Sequence, residues 1–203
     1  LEQIDANSVV VTSPGPEDGK TVTALNLAVA AAGSGQRPLL IDADERTQGL
    51  TNLANLANVP GLTDLSATND DPGDLIRRWG VGAHTDLLFV PAGSSRATDP
   101  ARFFRSPAFR KAMPTLAANQ ELVIIDAPPI LAVAETTDIA HQADAVLLVV
   151  REGTSQKSLS EARTRIAMTG KPVVGYVYNR ATDSTRKPAY GYGYGYGYGK
   201  PKS

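Results

Sequence analysis

The sequence contains no cysteine and only two histidines. The lack of cysteine excludes disulfide bonds, thiolate catalysis and cysteine-based metal sites. His84 and His141 lie far apart and lack the spacing of a zinc site. No apolar segment approaches the roughly 20 residues that cross a bilayer. Since no signal-peptide pattern opens the chain either, a cytoplasmic location is expected.

A strong charge of either sign is also missing. The 203 residues carry 20 Lys and Arg against 21 Asp and Glu, which gives a formal net charge of −1. That balance offers no electrostatic footprint for nucleic acid, so no nucleic-acid partner is expected. Because the first residue is Leu1 rather than Met, we expect the chain to be part of a longer protein.

Short apolar segments rich in β-branched residues alternate with longer segments that favour helix. This alternation predicts an α/β fold with a mainly parallel central sheet and helices on both faces. The predicted strands are Ser8–Val11, Pro38–Asp42, Asp86–Val90, Glu121–Asp126, Ala145–Val150 and Pro172–Asn179. The predicted helices are Lys20–Ala32, Glu45–Ala57, Gly73–Trp79, Asp99–Ala118 and Ser155–Met168. Together they predict one domain over residues 1–181.

The last segment of the chain differs in composition. From Thr182 the chain is polar, and from Tyr190 to Gly199 tyrosine alternates with glycine. Alternating glycine makes helix costly and leaves the backbone entropy high. Residues 182–203 are therefore interpreted as a flexible tail.

The segment Ser13–Thr21 joins the first predicted strand to the first predicted helix. Such a loop aims backbone N–H groups at phosphate oxygens, and the helix adds its positive dipole end. Lys20 can reach the β- and γ-phosphates, and the Thr21 hydroxyl can ligate Mg²⁺. The loop therefore predicts a site for a magnesium–nucleoside triphosphate. The expected nucleotide-binding residues are Gly15, Pro16, Glu17, Asp18, Gly19, Lys20, Thr21 and Val22.

Carboxylates follow two of the predicted strands. One strand ends at Asp42 and is followed by Asp44, and another ends at Asp126. The carboxyl ends of parallel strands share one edge of the sheet with the phosphate loop, so these side chains are expected near the same metal. Asp42 and Asp44, two residues apart on an extended chain, point the same way. Asp126 is the natural Walker B residue, which holds Mg²⁺ directly or through water.

The motif from Leu39 to Arg46, three apolar residues followed by Asp-x-Asp-x-Arg, resembles the Walker A′ motif of bacterial protein-tyrosine kinases of the Wzc, CpsD and CapB group. The resemblance extends along most of the chain. It includes Thr12–Thr21 with Asn26–Ala28, Asp126–Ala134, Val146–Arg151, Gly175–Arg180 and the tyrosine-rich tail. In one respect the chain departs from the family, whose loop often has Pro-Gly-Glu-Gly-Lys where this chain has Pro16-Glu-Asp-Gly-Lys20. The extra carboxylate is expected to weaken nucleotide binding.

The resemblance implies a tyrosine kinase that uses ATP and Mg²⁺ and autophosphorylates its tail. The expected acceptors are Tyr190, Tyr192, Tyr194, Tyr196 and Tyr198. A phenol has a pKa of about 10 and needs a positioned carboxylate to take its proton. Asp42 is assigned this task, while Thr21, Asp44 and Asp126 hold the metal. The roles of Asp42 and Asp44 could be reversed.

Two further residues, Arg46 and Asn179, have open alternatives. Lys20 and Arg46 would stabilise charge on the transferring phosphoryl group, although Arg46 is equally compatible with an ion pair or a helix cap. Asn179, with Arg180 beside it, resembles the position that contacts the adenine base, but a turn asparagine is equally compatible.

The resemblance also implies partners and a cellular role. The role would be control of capsular or exopolysaccharide biosynthesis and export. A membrane-protein activator segment, separate or fused upstream, would hold the domain at the inner face of the plasma membrane. The tail of the same or a neighbouring subunit is the expected substrate. Each phosphate adds about −1.5 to −2 charges, so we expect a homo-oligomer that phosphorylation disfavours.

Two rival functions remain open. A partition or positioning ATPase of the Min/Par type shares the fold, but its loop has a signature lysine that Ser13–Pro16 lacks, and it has no Tyr-Gly tail. A nucleotide-dependent scaffold without tyrosine transfer is the other rival, and the substituted loop is compatible with it.

Overall fold

The computed structural model describes residues 6–66, 71–82, 85–94 and 99–182. The strands in these residues are β1 (Ser8–Thr12), β2 (Pro38–Asp42), β3 (Arg77–Val81), β4 (Thr85–Val90), β5 (Leu122–Asp126), β6 (Ala145–Arg151) and β7 (Val173–Asn179). The helices are α1 (Lys20–Gly33), α2 (Gly49–Leu53), α3 (Pro100–Phe104), α4 (Pro107–Ala117), α5 (Glu135–Ala140) and α6 (Gln156–Ala167). Two 3₁₀ segments, Leu62–Ser66 and Pro72–Leu75, lie between α2 and β3.

The strands form one sheet in the order β3-β4-β2-β5-β1-β6-β7. All neighbouring pairs are parallel except β3 with β4. Strand β1 lies between β5 and β6, so the loop that follows it opens at the middle of the carboxyl edge. This arrangement confirms the predicted α/β fold with a mainly parallel sheet.

Both faces of the sheet are covered, which explains why its central strands are apolar throughout. On one face α1 packs through Ala24 and Ala28 in a cluster that also contains Val11 and Leu40. On the other face an aromatic group from α3 and α4 packs against the sheet, with the ring centroids of Phe104 and Phe109 5.1 Å apart. Small alanines one turn apart let α1 approach the sheet closely, which brings its first turn to the strand ends.

The predicted helix Gly73–Trp79 is wrong. The chain makes a short 3₁₀ turn there and then forms strand β3, which pairs antiparallel with β4. Trp79 packs on Phe89 of β4 with ring centroids 5.2 Å apart. Pairing with β4 and burial of one indole face outweigh the weak local helix signal, because strand preference is decided largely by such cross-strand packing.

Other predicted helices differ in extent. The segment predicted as Asp99–Ala118 forms two helices, because the Ser106 hydroxyl accepts a hydrogen bond from the Phe109 N–H and starts a new helix with Pro107 in its first turn. The segment predicted as Glu45–Ala57 forms only the five residues of α2. Helix α5 was not predicted from the sequence. The Asp99 carboxylate caps the start of α3, since it accepts from the Arg102 N–H at 3.0 Å.

The described chain ends beside the turn that leads from β6 to α6. The Thr182 backbone N–H donates to Glu152 Oε2 at 2.7 Å, and the Thr182 hydroxyl donates to Glu152 Oε1 at 3.1 Å. Residues 183–203, which include all five predicted acceptor tyrosines, lie outside the described residues, and the division into domain and tail stays a prediction. None of the helices found in the described residues is long and apolar enough to span a membrane.

Candidate functional site

The loop after β1 leads directly into the first turn of α1. Gly19 precedes the helix with a φ of 98°, a left-handed conformation that favours glycine. In the part of the chain that the structure describes, no side chain caps this helix start. The first N–H groups of a helix have no partner within the helix, so this uncapped end is suited to an anion.

Glu17 occupies a strained position in the same loop. Its φ is 60°, so a residue with a Cβ adopts the left-handed region. This costs roughly 1–2 kcal/mol relative to a right-handed conformation. The strain gives a physical reason why the resembling kinases often have glycine at this position. Glu17 therefore carries both an extra negative charge and a backbone penalty in the phosphate loop.

Replacing Glu17 with glycine is expected to tighten nucleotide binding by about twofold to fivefold, because a relaxed loop populates the binding-competent conformation more fully. Titration with a fluorescent nucleotide analogue and Mg²⁺ measures the change. Glu17→Ala is the matched control, because it removes the charge but keeps the Cβ and hence the strain. Equal gains in both variants would assign the effect to charge, and no gain in Glu17→Gly would contradict a strained loop.

Lys20 points from the first turn of α1 into a cluster of acidic side chains. Its Nζ lies 2.8 Å from Asp44 Oδ2, 3.3 Å from the Thr21 hydroxyl oxygen and 3.9 Å from Asp126 Oδ1. Burial acts to lower the pKa of Lys20, but the negative charges of Asp126 and Asp44 outweigh it, so the pKa is raised. Lys20 is therefore a buried cation whose ammonium group is fixed by Asp44 and Asp126.

Asp126 ends β5 directly opposite Asp42 on β2, as the strand register places the two residues side by side. Its side chain is completely buried, and neither carboxylate oxygen has a partner at normal hydrogen-bond geometry among the described residues, although the Thr21 hydroxyl lies close enough to favour the charged form. Burial raises the pKa of Asp126 to about 8, although the Lys20 charge acts in the opposite direction. Buried polar atoms without partners are rare, and a place for a bound ion or water is one physical explanation for them.

The donors around Asp126 fit a magnesium ion. Its two unpartnered oxygens, the Thr21 hydroxyl and the Asp44 carboxylate are all oxygen ligands, which Mg²⁺ prefers. Within the described ranges no group of three or more His, Cys, Asp or Glu forms a self-contained metal site. Mg²⁺ is usually held by one or two carboxylates together with water and substrate phosphates.

Asp42 is fully buried, and neighbouring groups donate hydrogen bonds to both of its carboxylate oxygens. Its Oδ2 accepts hydrogen bonds from the Thr51 N–H at 2.9 Å and the Thr51 hydroxyl at 2.8 Å, and its Oδ1 accepts from the Asp44 N–H at 3.1 Å. Burial raises the pKa of Asp42 to about 6, against the effect of the two Thr51 hydrogen bonds. A carboxyl group with that pKa is suited to accept a proton near neutral pH.

Arg46 is directed away from Lys20, towards α5. Its Nε and Nη2 both donate to Glu135 Oε1, at 3.1 Å and 2.8 Å. The Glu135 side chain is almost completely buried, whereas that of Arg46 is about half exposed. The structure therefore contains the ion pair that the sequence left open for Arg46, and a role in charge stabilisation stays a prediction.

Asn179, at the end of β7, lies against the phosphate loop. Its Nδ2 donates to the Asp18 carbonyl oxygen at 2.9 Å, and its Oδ1 accepts from the Arg180 N–H. An open groove of about 400 Å³ lies beside it, lined by Val22, Thr23, Asn26, Leu27, Leu147, Val177 and Asn179. The groove places Val22 and Asn179 together, as expected for a base site, and contact with a base stays a prediction.

Three residues of the site were not predicted from the sequence. Thr51 holds Asp42, Glu135 holds Arg46, and Arg151 pairs with Asp18 through Nε and Oδ1 at 3.2 Å. A charged residue at the end of an apolar strand could have drawn attention to Arg151. Thr51 and Glu135 carry no local signal, because their roles depend on contacts across the fold.

The profile of the CobQ/CobB/MinD/ParA nucleotide binding domain matches residues 9–191. The tyrosine-protein kinase CpsD of Streptococcus pneumoniae serotype 4 is 33% identical over 182 residues, which cover 88% of this chain and 78% of CpsD. EpsB of Ralstonia solanacearum, which also carries a tyrosine-protein kinase name, is 35% identical over 192 residues. That match covers 94% of this chain but 25% of EpsB, so the chain spans about a quarter of that relative.

Solved structures lead to the same group. The kinase domain of the Escherichia coli tyrosine kinase ETK superposes with a TM-score of 0.81 at 29% identity. The match covers 97% of this chain and 75% of that chain. The described residues thus form a nucleotide-binding domain whose sequence and structure are both similar to those of tyrosine kinases.

Proposed function

The chain belongs to the CobQ/CobB/MinD/ParA nucleotide-binding family and, within it, to the bacterial tyrosine-protein kinases, and we propose that it transfers the γ-phosphate of ATP to tyrosines of its own tail. The observation that carries this proposal is the buried cluster of Lys20, Asp44 and Asp126 at the uncapped start of α1. A cation, carboxylates that can hold a metal ion and a helix N-terminus are the parts that phosphoryl transfer needs.

The residues of the cluster divide the work in this proposal. The amides of the loop and Lys20 bind the phosphates, and Val22, Asn179 and Arg180 contact the nucleoside. Thr21, Asp44 and Asp126 would hold Mg²⁺, which would supply positive charge to the phosphate oxygens. Because Asp42 is fully buried and accepts hydrogen bonds from Thr51 and Asp44, a phenol reaches that carboxylate only after the surrounding packing changes.

Asp42 is the proposed proton acceptor, and its pKa of about 6 supports this role. Asp42→Asn is expected to lower the transfer rate by at least about a hundredfold while Mg-ATP affinity changes less than about threefold. A nucleotide titration and a phosphotyrosine rate measurement separate the two effects. Asp44→Asn is the matched comparison and should weaken Mg-ATP binding as well, because Asp44 is a proposed ligand of Mg²⁺. Equal loss of both properties in Asp42→Asn would contradict this division of roles.

The experiment that tests the function is incubation with Mg-ATP followed by mapping of phosphotyrosine by mass spectrometry. Phosphate on Tyr190, Tyr192, Tyr194, Tyr196 and Tyr198 is the expected result. The variant with these five residues changed to phenylalanine should bind nucleotide normally and accept no phosphate there. ATP hydrolysis without modified tyrosine would instead support a Min/Par-type ATPase. Nucleotide binding with neither activity would support a scaffold.

The proposed cellular role is control of capsular or exopolysaccharide biosynthesis and export, with a membrane-protein activator that holds the domain at the inner face of the plasma membrane. Neighbouring subunits assemble before phosphorylation, and each can present its tail to the next.

Phosphorylation is expected to dissociate this homo-oligomer, since several phosphates of about −1.5 to −2 charges each repel neighbouring tails and acidic sites. Sedimentation before and after treatment with Mg-ATP measures the change in assembly. The five-phenylalanine variant should keep its assembly under both conditions. An unchanged sedimentation profile of phosphorylated protein would contradict the prediction.

A further inference from the structure

Asp18 points into the base of the phosphate loop. It lies between Glu17 and Gly19, which both have left-handed φ values, 60° and 98°. Its side chain is almost completely buried, and Oδ2 accepts a hydrogen bond from the Gly15 N–H at 2.9 Å. The carboxylate therefore bridges the loop from within, and the predicted contact of Asp18 with the nucleotide stays a prediction.

Arg151 supplies the positive charge that pairs with the Asp18 carboxylate. It is the last residue of β6, the strand next to β1, and its Nε lies 3.2 Å from Asp18 Oδ1. The backbone of Asp18 is fixed as well, because Asn179 donates to its carbonyl oxygen. Contacts from β6 and β7 thus hold the one residue that separates two left-handed positions of the loop.

We propose that Arg151 is a positioning residue for nucleotide binding, which acts by keeping the Asp18 carboxylate on the Gly15 N–H and away from the phosphates. A buried carboxylate that loses its cation carries a large desolvation cost and turns towards water. In this loop such a turn releases the Gly15 N–H and adds a negative charge where phosphates bind. Arg151 therefore acts through Asp18 and needs no contact with the nucleotide.

This mechanism explains how the loop tolerates two consecutive carboxylates. Glu17 is exposed, and its charge is screened by water. Asp18 is buried beside the anion site, where screening is weak, so its charge needs a fixed partner. The inference rests on the proposed nucleotide site and does not depend on tyrosine transfer.

The test is a double-mutant cycle with Arg151→Gln and Asp18→Asn, read by titration of the full chain with a fluorescent ATP analogue and Mg²⁺. Asn at position 18 can still accept from the Gly15 N–H but cannot form the ion pair. Arg151→Gln should weaken affinity about tenfold, whereas Asp18→Asn should change it less than about threefold because the neutral amide adds no charge near the phosphates, and the double variant should bind no more weakly than Asp18→Asn alone. Arg37→Gln is the control: it breaks the exposed Arg37–Glu121 pair at the start of β2 and should leave affinity unchanged.

A positioning role is separated from a general loss of stability by three further readouts. Arg151→Gln should raise the KM for ATP about tenfold while kcat at saturating ATP stays within about twofold. Arg151→Lys should restore part of the affinity, and the midpoint of thermal unfolding should change little. In nucleotide-free protein, amide hydrogen exchange in residues 13–21 should be faster in Arg151→Gln than in Arg37→Gln.

Two results would overturn the inference. One is an affinity of Arg151→Gln within twofold of the unmodified chain together with unchanged exchange in residues 13–21. The other is a double variant whose effect equals the sum of the single effects, because independent sites add. If the unmodified chain binds nucleotide but phosphorylates no tyrosine, the proposed function fails and the inference stands on the affinity and exchange measurements.

Discussion

Lys20→Met is expected to lower phosphoryl transfer by at least about a hundredfold and to leave the tail without phosphotyrosine. The variant loses the cation that the proposed site directs at the β- and γ-phosphates. It also leaves Asp44 and Asp126 without the charge that now lies 2.8 Å and 3.9 Å from them. Nucleotide affinity should therefore fall along with the rate, because the site becomes strongly acidic.

Mass spectrometry of the tail and the initial rate of phosphotyrosine formation measure this effect. Lys157→Met, at an exposed position of α6, is the matched control and should retain the activity of the unmodified chain. A Lys20→Met protein that keeps more than about a tenth of the rate would show that Lys20 does not act on the transferring phosphoryl group.

Asp126→Asn is expected to have opposite effects on activity and on stability. Transfer should fall at least about a hundredfold, since the amide is a poorer ligand for Mg²⁺ than the carboxylate. The metal-free protein should nevertheless unfold at a higher temperature at pH 8. The variant removes a fully buried ionisable group whose carboxylate oxygens have no hydrogen-bond partner in the described structure.

The pH dependence of this stability difference follows from the pKa of Asp126, which burial raises from 3.8 to about 8. Between these values the folded protein keeps a proton that the unfolded chain has released, so stability falls as the pH rises. Asparagine binds no such proton. The stability advantage of Asp126→Asn should thus be greatest near pH 8 and shrink towards pH 5.

Thermal unfolding in a metal chelator at several pH values tests this prediction. Asp86→Asn, at an exposed site on β4, is the matched control and should follow the unmodified chain at every pH. Asp42, with a pKa of about 6, titrates in both proteins. A metal-free Asp126→Asn protein that is less stable than the unmodified chain at pH 8 would contradict a destabilising buried carboxylate.

Much of the fold and the acidic cluster could be predicted because their signals are local. Apolar segments that end in aspartate predicted β2 and β5, and the parallel-sheet rule predicted that their ends meet. The register pairs Asp42 with Asp126, and Lys20 reaches Asp44 from 24 residues away. The strand ends are thus predicted from local sequence, and their meeting is predicted from the topology of a parallel sheet.

The parts that could not be predicted depend on partners distant in the chain. Arg46 and Glu135 are 89 residues apart, and nothing near either residue indicates the other. Strand β3 is stabilised by the packing of Trp79 on Phe89 of β4. The sequence around residue 79 gives no sign of this contact. The assignment of roles to individual site residues stays a prediction, since it concerns chemistry and not placement.

The hydrogen bonds between Thr182 and Glu152 set where the tail is tethered. Measured from Thr182, eight residues lead to Tyr190, a span of at most ~26–29 Å, whereas eleven lead from Asn179. Strand β7 runs parallel to β1, so the tether point and the phosphate loop share the carboxyl edge of the sheet. In the proposed function, a flexible segment of this length would give Tyr190 an effective concentration of about a millimolar at its own site. A neighbouring subunit competes with that local concentration only when assembly brings its tail equally close.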